Sequence, residues 1–512
     1  MSRIVTEALV DRVTAARVAG PRDGYLAERP AEDGRWFEAV VGPWRHYRRV
    51  VEVTATPGRD DVVTVRQTID YRLAVPVFAP LFALPFRQLL GRLDMPRRAP
   101  WWAPPDAFDA RAAGVLSALA VLSIVTGYLG TLLTETVTYA AREFGADKGS
   151  EGLALGVVRT SVLVALPLVF AADRHGRRRV ALLAATGGCL LTALGAAAPT
   201  LPLLAATQIW ARGCAAAVIT LIGVMTAEEM PAGSRAYAVS LLVMAAALGS
   251  GMSVLSLPLT SLGLRAWRLL FVAAVLGLPL LAMAARHLPE SKRFVRVHAR
   301  GRLAGHVGRL ALLAGTNLLA NLWGTPASQF QNDFLRVERH FSPGMISVFT
   351  VATYTPASLG IVVGGKLADT RGRRRVGAVA LLVGTFGGVV MFFVHGWAMW
   401  LWSLGGNIVF AATVPALAVY GPELFPTGLR GKANGVISAM GALGGAVGLV
   451  TAGQLASAPH FGTLGVPLAI LALGPATVAV LVLTLYPETA HRELEELNPE
   501  DAAAIRAATP GG

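Results

Sequence analysis

Asp173-Arg174-His175-Gly176-Arg177-Arg178-Arg179-Val180 recurs as Asp369-Thr370-Arg371-Gly372-Arg373-Arg374-Arg375-Val376, 196 positions further on. A second octet, Glu228-Glu229-Met230-Pro231-Ala232-Gly233-Ser234-Arg235, recurs as Glu423-Leu424-Phe425-Pro426-Thr427-Gly428-Leu429-Arg430 at an offset of 195. Two unrelated motifs repeating at nearly one offset mark a doubled chain. Each copy is a short charged connection between long apolar stretches, so the repeat unit is a set of apolar helices joined by polar turns.

Working outward, 54% of the 512 residues are hydrophobic and 15% are charged, against roughly 25% charged in a soluble domain. A soluble chain of this length needs a polar exterior that this one lacks, and lipid is the alternative solvent. A helix crossing a bilayer needs about 20 mostly apolar residues. Such stretches are predicted at 112–140, 151–172, 180–198, 201–227, 236–260 and 266–287, and again at 307–330, 343–367, 376–395, 398–421, 431–455 and 463–486. The expected fold is therefore an all-α membrane protein of twelve transmembrane helices in two pseudo-symmetric six-helix bundles. The expected divisions are an N-terminal region 1–110, bundles 111–287 and 307–487, a linker 288–306 and a tail 488–512.

The net charge of +14 does not signal nucleic acid, because the cations lie in the short loops between spans, where membrane topology puts them. Arg174, Arg177, Arg178 and Arg179, then Arg371, Arg373, Arg374 and Arg375, then the Arg286–Arg309 connection all fall on one side of a twelve-span chain, as do both termini. That side is expected to be cytoplasmic and the membrane the plasma (inner) membrane. Cys189 and Cys214 lie in apolar stretches, so a disulfide framework is not expected. The nine His show no ligand spacing, and no cofactor, metal or cleavable signal peptide is expected. No GxxxxGK[ST] phosphate loop occurs, which argues against an ATP-driven pump, and no nucleophile–base pair argues for an enzyme.

Before residue 110 the chain is different. Val63, Val65, Ile69 and Tyr71 alternate with Thr64, Arg66, Thr68, Asp70 and Arg72, the period of a strand with one buried face. With Val50–Thr56 and the turn Pro57-Gly58-Arg59-Asp60 this predicts a hairpin within a small α+β region on the cytoplasmic side. Val77–Arg92 carries Phe78, Leu81, Phe82, Phe86, Leu89 and Leu90 but also Pro80 and Pro85. It reads as an interfacial segment rather than a long straight helix, with Trp101 and Trp102 as headgroup anchors.

The repeated octets resemble the cytoplasmic loop motifs of the major facilitator superfamily, and the resemblance covers about residues 112–495. Gly365-Lys366-Leu367-Ala368-Asp369 followed by Arg371-Gly372-Arg373-Arg374 is similar to the family motif. The first copy departs from it with Val169 in place of glycine. Pro289-Glu290-Ser291-Lys292-Arg293-Phe294, Pro487-Glu488-Thr489 with Leu494-Glu495-Glu496-Leu497, Tyr420-Gly421-Pro422-Glu423 and Trp267-Arg268 resemble the sugar-porter-like, metabolite:proton symporter branch, with related branches that carry organic acids, aromatic metabolites or drugs also open. The paired Gln of that branch in span seven is missing, and Gln208 stands where it has an Arg in span four, with Arg212 one turn later.

The resemblance implies a cytoplasmic gate of Asp173, Arg174, Arg177, Glu228, Arg235, Asp369, Arg373, Glu423 and Arg430 that holds the halves together when the protein is open outward. An ionisable group at mid-membrane is costly unless it is paired or faces water. Glu135 and Arg159 are expected at similar depth, and with Arg212 they form the candidate proton-coupling group. Asn317 and Asn321, four apart on one helix face, together with Trp323, Gln208 and Asn407, are the candidate substrate contacts. The competing reading is interhelical hydrogen bonding. The run Gly441-Ala442-Leu443-Gly444-Gly445 reads as packing.

The expected function is secondary active transport of a small organic solute, sugar-like or an organic acid, by alternating access with proton symport. The expected protein is a monomer whose partners are the small-molecule substrate, the proton and the lipid bilayer. Proton-coupled multidrug efflux by antiport and a transporter-like solute sensor are the alternatives. Span five has Ala247-Leu248-Gly249-Ser250-Gly251 and no Gly-x-x-x-Gly-Pro antiporter run, which favours import.

Overall fold

The structure, a computed structural model, describes residues 2–56, 61–75, 78–96, 98–100, 102–146, 148–291, 303–457 and 463–501. It divides into two units, Met1–Leu119 and Ala120–Gly512.

The first unit is an antiparallel sheet with two helices. Strands β1 (Ser2–Asp11), β2 (Glu28–Pro30), β3 (Phe37–Ala39), β4 (Trp44–Ala55) and β5 (Val62–Leu73) lie in the order β1-β5-β4-β3-β2. The hairpin expected from the alternation is β4–β5, with Val51 opposite Gln67 and Tyr47 opposite Tyr71. Its turn falls outside the described residues. The other edge, β1, carries no clear signal in the sequence because Val5 and Leu9 point outward and blur its alternation. Helix α1 (Arg12–Val18) starts at Asp11, whose carboxylate accepts from the Thr14 N–H at 2.8 Å. That bond and one from the Thr14 hydroxyl hold the Asp11 carboxyl below its ordinary range.

Within the segment read as interfacial, residues 79–90 pack one face on the sheet and leave Leu81 and Leu84 exposed on the other. They form helix α2 (Ala79–Leu90), with Pro80 in the first turn, where the missing N–H is harmless. Phe86, Leu89 and Leu90 are buried in a cluster with Trp44, Ile69 and Tyr71. Burying these side chains offsets the bond lost at Pro85. Trp102 packs edge-on to Phe86, 5.1 Å between centroids, at the margin of this core. Trp101 lies outside the described residues.

A charged network fills the rest of that core. Glu28 accepts from Arg49 at 2.7 Å and from the Tyr47 hydroxyl at 2.5 Å, while Arg49 also donates to Gly20 O and Val18 O. Arg22 donates to Gln67 Oε1, Leu90 O and Arg92 O. Burial pulls the Arg49 pKa below its usual value, with Glu28 opposing; burial, reinforced by Glu28, pushes the Tyr47 phenol well up, so it stays a donor. Removing one member of a buried charge set costs about 3–5 kcal/mol because the rest stay buried and unpaired. Glu28→Ala is therefore expected to unfold the first unit. Limited proteolysis checks this: cleavage should appear within residues 2–96 while the helices after residue 120 stay protected.

The second unit is helical. Among the described residues nine helices are long and apolar enough to cross a membrane. They are α3 (Ala110–Glu143, which begins in the first unit), α4 (Leu153–His175), α6 (Leu201–Glu229), α7 (Ala232–Leu262), α8 (Trp267–His287), α10 (Gly344–Arg371), α12 (Gly396–Glu423), α13 (Arg430–Ala456) and α14 (Gly465–Leu485). Three more, α5 (Arg177–Gly195), α9 (Val307–Asp333) and α11 (Arg373–Val390), occupy the remaining expected stretches. A short helix α15 (Leu494–Leu497) follows α14. Gly176 and Gly372, the glycines of the repeated octet, have φ of +98° and +99° and make the tight turns α4–α5 and α10–α11.

The repeat is also visible in how helices cross. A Cβ on Gly249 of α7 would lie 1.9 Å from Ile124 O of α3, and one on Gly444 of α13 would lie 2.2 Å from Leu318 O of α9. Gly249 and Gly444 are 195 apart. The glycine run of α13 is packing, as expected.

Candidate functional site

The two copies of each octet meet at one end of the second unit. Glu228, at the end of α6, is buried. It accepts from Arg177 of its own half, from Arg430 of the other half at 2.6 Å, and from the Ser291 hydroxyl at 2.6 Å. Its repeat partner Glu423, at the end of α12, is buried too. It accepts from Arg373 of its own half at 2.5 Å and from Arg235 of the other half at 3.1 Å. Each carboxylate thus bridges an arginine from each half, and charge-assisted bonds of this kind are the strong ones.

The aspartates follow the same rule. Asp173 accepts from the backbone N–H groups of Gly431 (3.3 Å) and Lys432 (3.0 Å), at the start of α13. Asp369 accepts from Tyr237 N at 2.8 Å, at the start of α7. A carboxylate at a helix N-terminus is favoured by the helix dipole. Arg177 also donates to Thr427 O, and Arg373 to Ala232 O at 2.9 Å, both across the seam. Arg174 is exposed and enters none of these described bonds.

Two residues quoted only as parts of motifs have a role here. Glu290 accepts from the N–H groups of Arg177 (3.0 Å) and Arg178 (3.2 Å), at the start of α5. Glu488 does the same for Arg373 (3.0 Å) and Arg374 (3.2 Å), at the start of α11. The signal was present: each follows a proline just after the sixth or twelfth span.

The departure at Val169 has a local answer. A Cβ on Gly365 of α10 would lie 2.8 Å from Ala236 O and 2.9 Å from the Ser240 side chain on α7. At the matching crossing, Val169 of α4 faces Gly435 of α13, and Gly435 is the repeat partner of Ser240. A Cβ there would lie 3.1 Å from Leu166 and 3.9 Å from Val169. The glycine of this crossing thus stands on the opposite helix, with Leu166 as its tight neighbour and Val169 at ordinary contact distance.

The residues expected deeper in the membrane are placed less simply. Arg212 of α6 donates to the Thr134 hydroxyl on α3 at 3.3 Å, one residue before Glu135, which is half-buried. Arg159 falls in a 3-10 turn of α4, Arg159–Ser161, and its side chain lies outside what is described, as does any pairing with Glu135. Gln208 is fully buried, with its amide against Gly195 of α5. Asn317 donates to Ile437 O of α13 at 2.7 Å, and Asn321 donates to Asn317 O and Oδ1. Asn407 reaches Thr353 O at 3.5 Å. The three asparagine amides are engaged in helix–helix or local bonds, whereas both polar atoms of the buried Gln208 amide make no hydrogen bond among the described residues.

Trp323 does not share a face with the asparagines. At about 100° per residue it lies well round the helix from Asn321. Its ring is wedged where a Cβ on Gly388 of α11 would lie 2.7 Å away, and it packs on Phe410 at 5.7 Å. The amide-plus-aromatic platform expected from spacing is thus divided between two faces of α9.

The Major Facilitator Superfamily is matched over residues 115–314 and again over 312–508. The proton:xylose symporter XylE, bound to 6-bromo-6-deoxy-D-glucose, is 18% identical with a TM-score of 0.67, the alignment covering 76% of this chain and 99% of that one. The human organic anion transporter TETRAN is 16% identical with a TM-score of 0.59 over 72% of this chain and 99% of that one. The E. coli fucose:proton symporter FucP is 14% identical with a TM-score of 0.58 over 72% and 97%. At these identities the likeness is one of fold.

Proposed function

The chain belongs to the Major Facilitator Superfamily, and from that premise we propose that it is a proton-coupled symporter of a small organic metabolite, working by alternating access in the plasma membrane. The observation that carries the reading is the duplicated ion lock. Glu228 and Glu423 each tie an arginine of one half to an arginine of the other. Such a lock closes one end of a seam between two bundles and leaves the opposite end to open. In this reading α3 to α14 make twelve crossings, and the lock, both termini and the arginine-rich turns face the cytoplasm.

Glu135 takes up and releases the proton, with Arg212 and Arg159 setting its charge balance or holding an anionic group of the cargo. An organic acid fits better than a polyhydroxylated sugar. Asn317, Asn321 and Asn407, the amides that would hold hydroxyls, are engaged in other bonds, while Arg212, which donates to Thr134, brings a positive charge into the span that a carboxylate of the cargo would balance.

The test is reconstitution in liposomes with an imposed pH gradient and a panel of organic acids, sugars and cationic drugs. Gradient-driven uptake of an organic acid is the expected result. Glu135→Gln should cut that uptake at least about tenfold and abolish its dependence on the gradient, a typical effect for a positioned proton-transfer group. Full gradient dependence in Glu135→Gln would remove Glu135 from the coupling role. No flux of any compound in either direction would defeat the transport reading.

A further inference from the structure

The two locks are not equivalent once their arginines are followed beyond the shared glutamates. Arg430 is held on both sides. Glu228 of the other half accepts from it at 2.6 Å, and Asp501 accepts from it at 3.1 Å. Asp501 lies in the segment that follows α14, and it is buried. Its carboxylate also accepts from Thr427 N at 3.1 Å and from the Thr427 hydroxyl at 2.9 Å. The segment is anchored to its own half again where Glu488 holds the start of α11 and where Asn498 donates to Glu423 O at 2.7 Å. It therefore travels with the second half.

Arg235 is in the opposite position. Its described carboxylate partners, Glu423 at 3.1 Å and Glu493 at 3.5 Å, belong to the other half, and so does the carbonyl of Arg492 to which it donates at 3.0 Å. Arg177 and Arg373 each keep a same-half glutamate when the halves separate. Opening the lock thus strips Glu228 from Arg430 but leaves it Asp501.

Resting on the alternating-access reading above, we propose that Asp501 is a positioning residue of the transport cycle: it keeps Arg430 paired after the lock opens and so makes the open state accessible. In the closed state its loss is cushioned by Glu228; in the open state Arg430 keeps the Phe425 carbonyl, to which it donates at 2.9 Å, but no described carboxylate. Neutralising Asp501 therefore favours the closed lock. A tail that merely strapped the lock shut would act the other way, because losing it would loosen Thr427, whose carbonyl receives Arg177 across the seam.

The direction of the shift is the test. Spin labels at His175→Cys and Arg371→Cys, both exposed and in opposite halves, report the lock by their distance distribution, with the buried Cys189 and Cys214 left in place. In Asp501→Asn the open population should fall roughly thirtyfold, the share of one charged hydrogen bond. Asp501→Glu should restore it, and Glu228→Gln should raise it. Asn498→Ala, which frees the segment from Glu423 but keeps the carboxylate, should not reproduce the fall. An unchanged or larger open population in Asp501→Asn, or failure of that variant to fold, overturns the proposal while leaving the transport reading intact if Glu228→Gln still opens. A lock that opens in neither wild type nor Glu228→Gln overturns the transport reading and this proposal with it.

Discussion

Glu228→Gln should leave the lock predominantly open and lower the rate of a full transport cycle by at least about tenfold. The change keeps the shape of the side chain but turns one of its oxygens into a donor that faces a guanidinium. Glu228 serves Arg177, Arg430 and Ser291, and all of these contacts are buried. Breaking a buried charge set costs about 3–5 kcal/mol. Part of this falls on both states, since Arg177 stays with residue 228 in either. The Arg430 share falls on the closed state alone, and at about 2 kcal/mol for a charged hydrogen bond it moves the equilibrium roughly thirtyfold. The melting temperature of the detergent-solubilised protein should fall by several degrees. Glu423→Gln should act in the same direction, because Arg235 and Arg373 both depend on it. A label distance indistinguishable from wild type would mean that the lock does not govern the closed state.

Gly249→Val and Gly444→Val should prevent assembly of the helical unit. Each places carbon atoms within about 2 Å of a backbone carbonyl on the crossing helix, at Ile124 and Leu318. A backbone oxygen cannot rotate away as a side chain can, so the helices must separate and lose the packing that holds them together in lipid. Overpacking of this kind typically costs about 1–3 kcal/mol even where the surroundings give, and here they do not. The control lies two residues away: a Cβ on Gly251 meets nothing within 4 Å, so Gly251→Ala should be neutral. Monodispersity after solubilisation measures the difference. Equal yields from Gly249→Val and Gly251→Ala would refute the close crossing.

The helices were legible in the sequence for a reason specific to lipid. A segment in the bilayer must satisfy its own backbone groups, so a long apolar run has little choice but helix. The stretch 201–227, for example, is Leu201–Glu229. The repeat was legible because its residues are charged and few. Side-chain direction was not. Asn317 and Asn321 face a neighbouring helix, and Trp323 points elsewhere, because what lies across each face is set by the packing partner. Asp501 had no signal at all, since the repeat stops before it and nothing local distinguishes it from other acidic residues of the tail. In the first unit, β1 was hidden by its outward Val5 and Leu9, and the packing of α2 on the sheet was not legible because a helix covering a sheet and one lying on a membrane carry the same stripe.

The exchange of bulk at Val169, Gly435, Gly365 and Ser240 bears on how such a chain can assemble. Two copies of the first half set face to face would bring Val169 against Ser240, side chain on side chain. Two copies of the second half would bring Gly365 against Gly435 and leave a void. The unlike pair gives each crossing one glycine, whereas like pairs would give none or two. A separated half is therefore expected to prefer its complement over its own twin, and co-purification of separately tagged halves checks this.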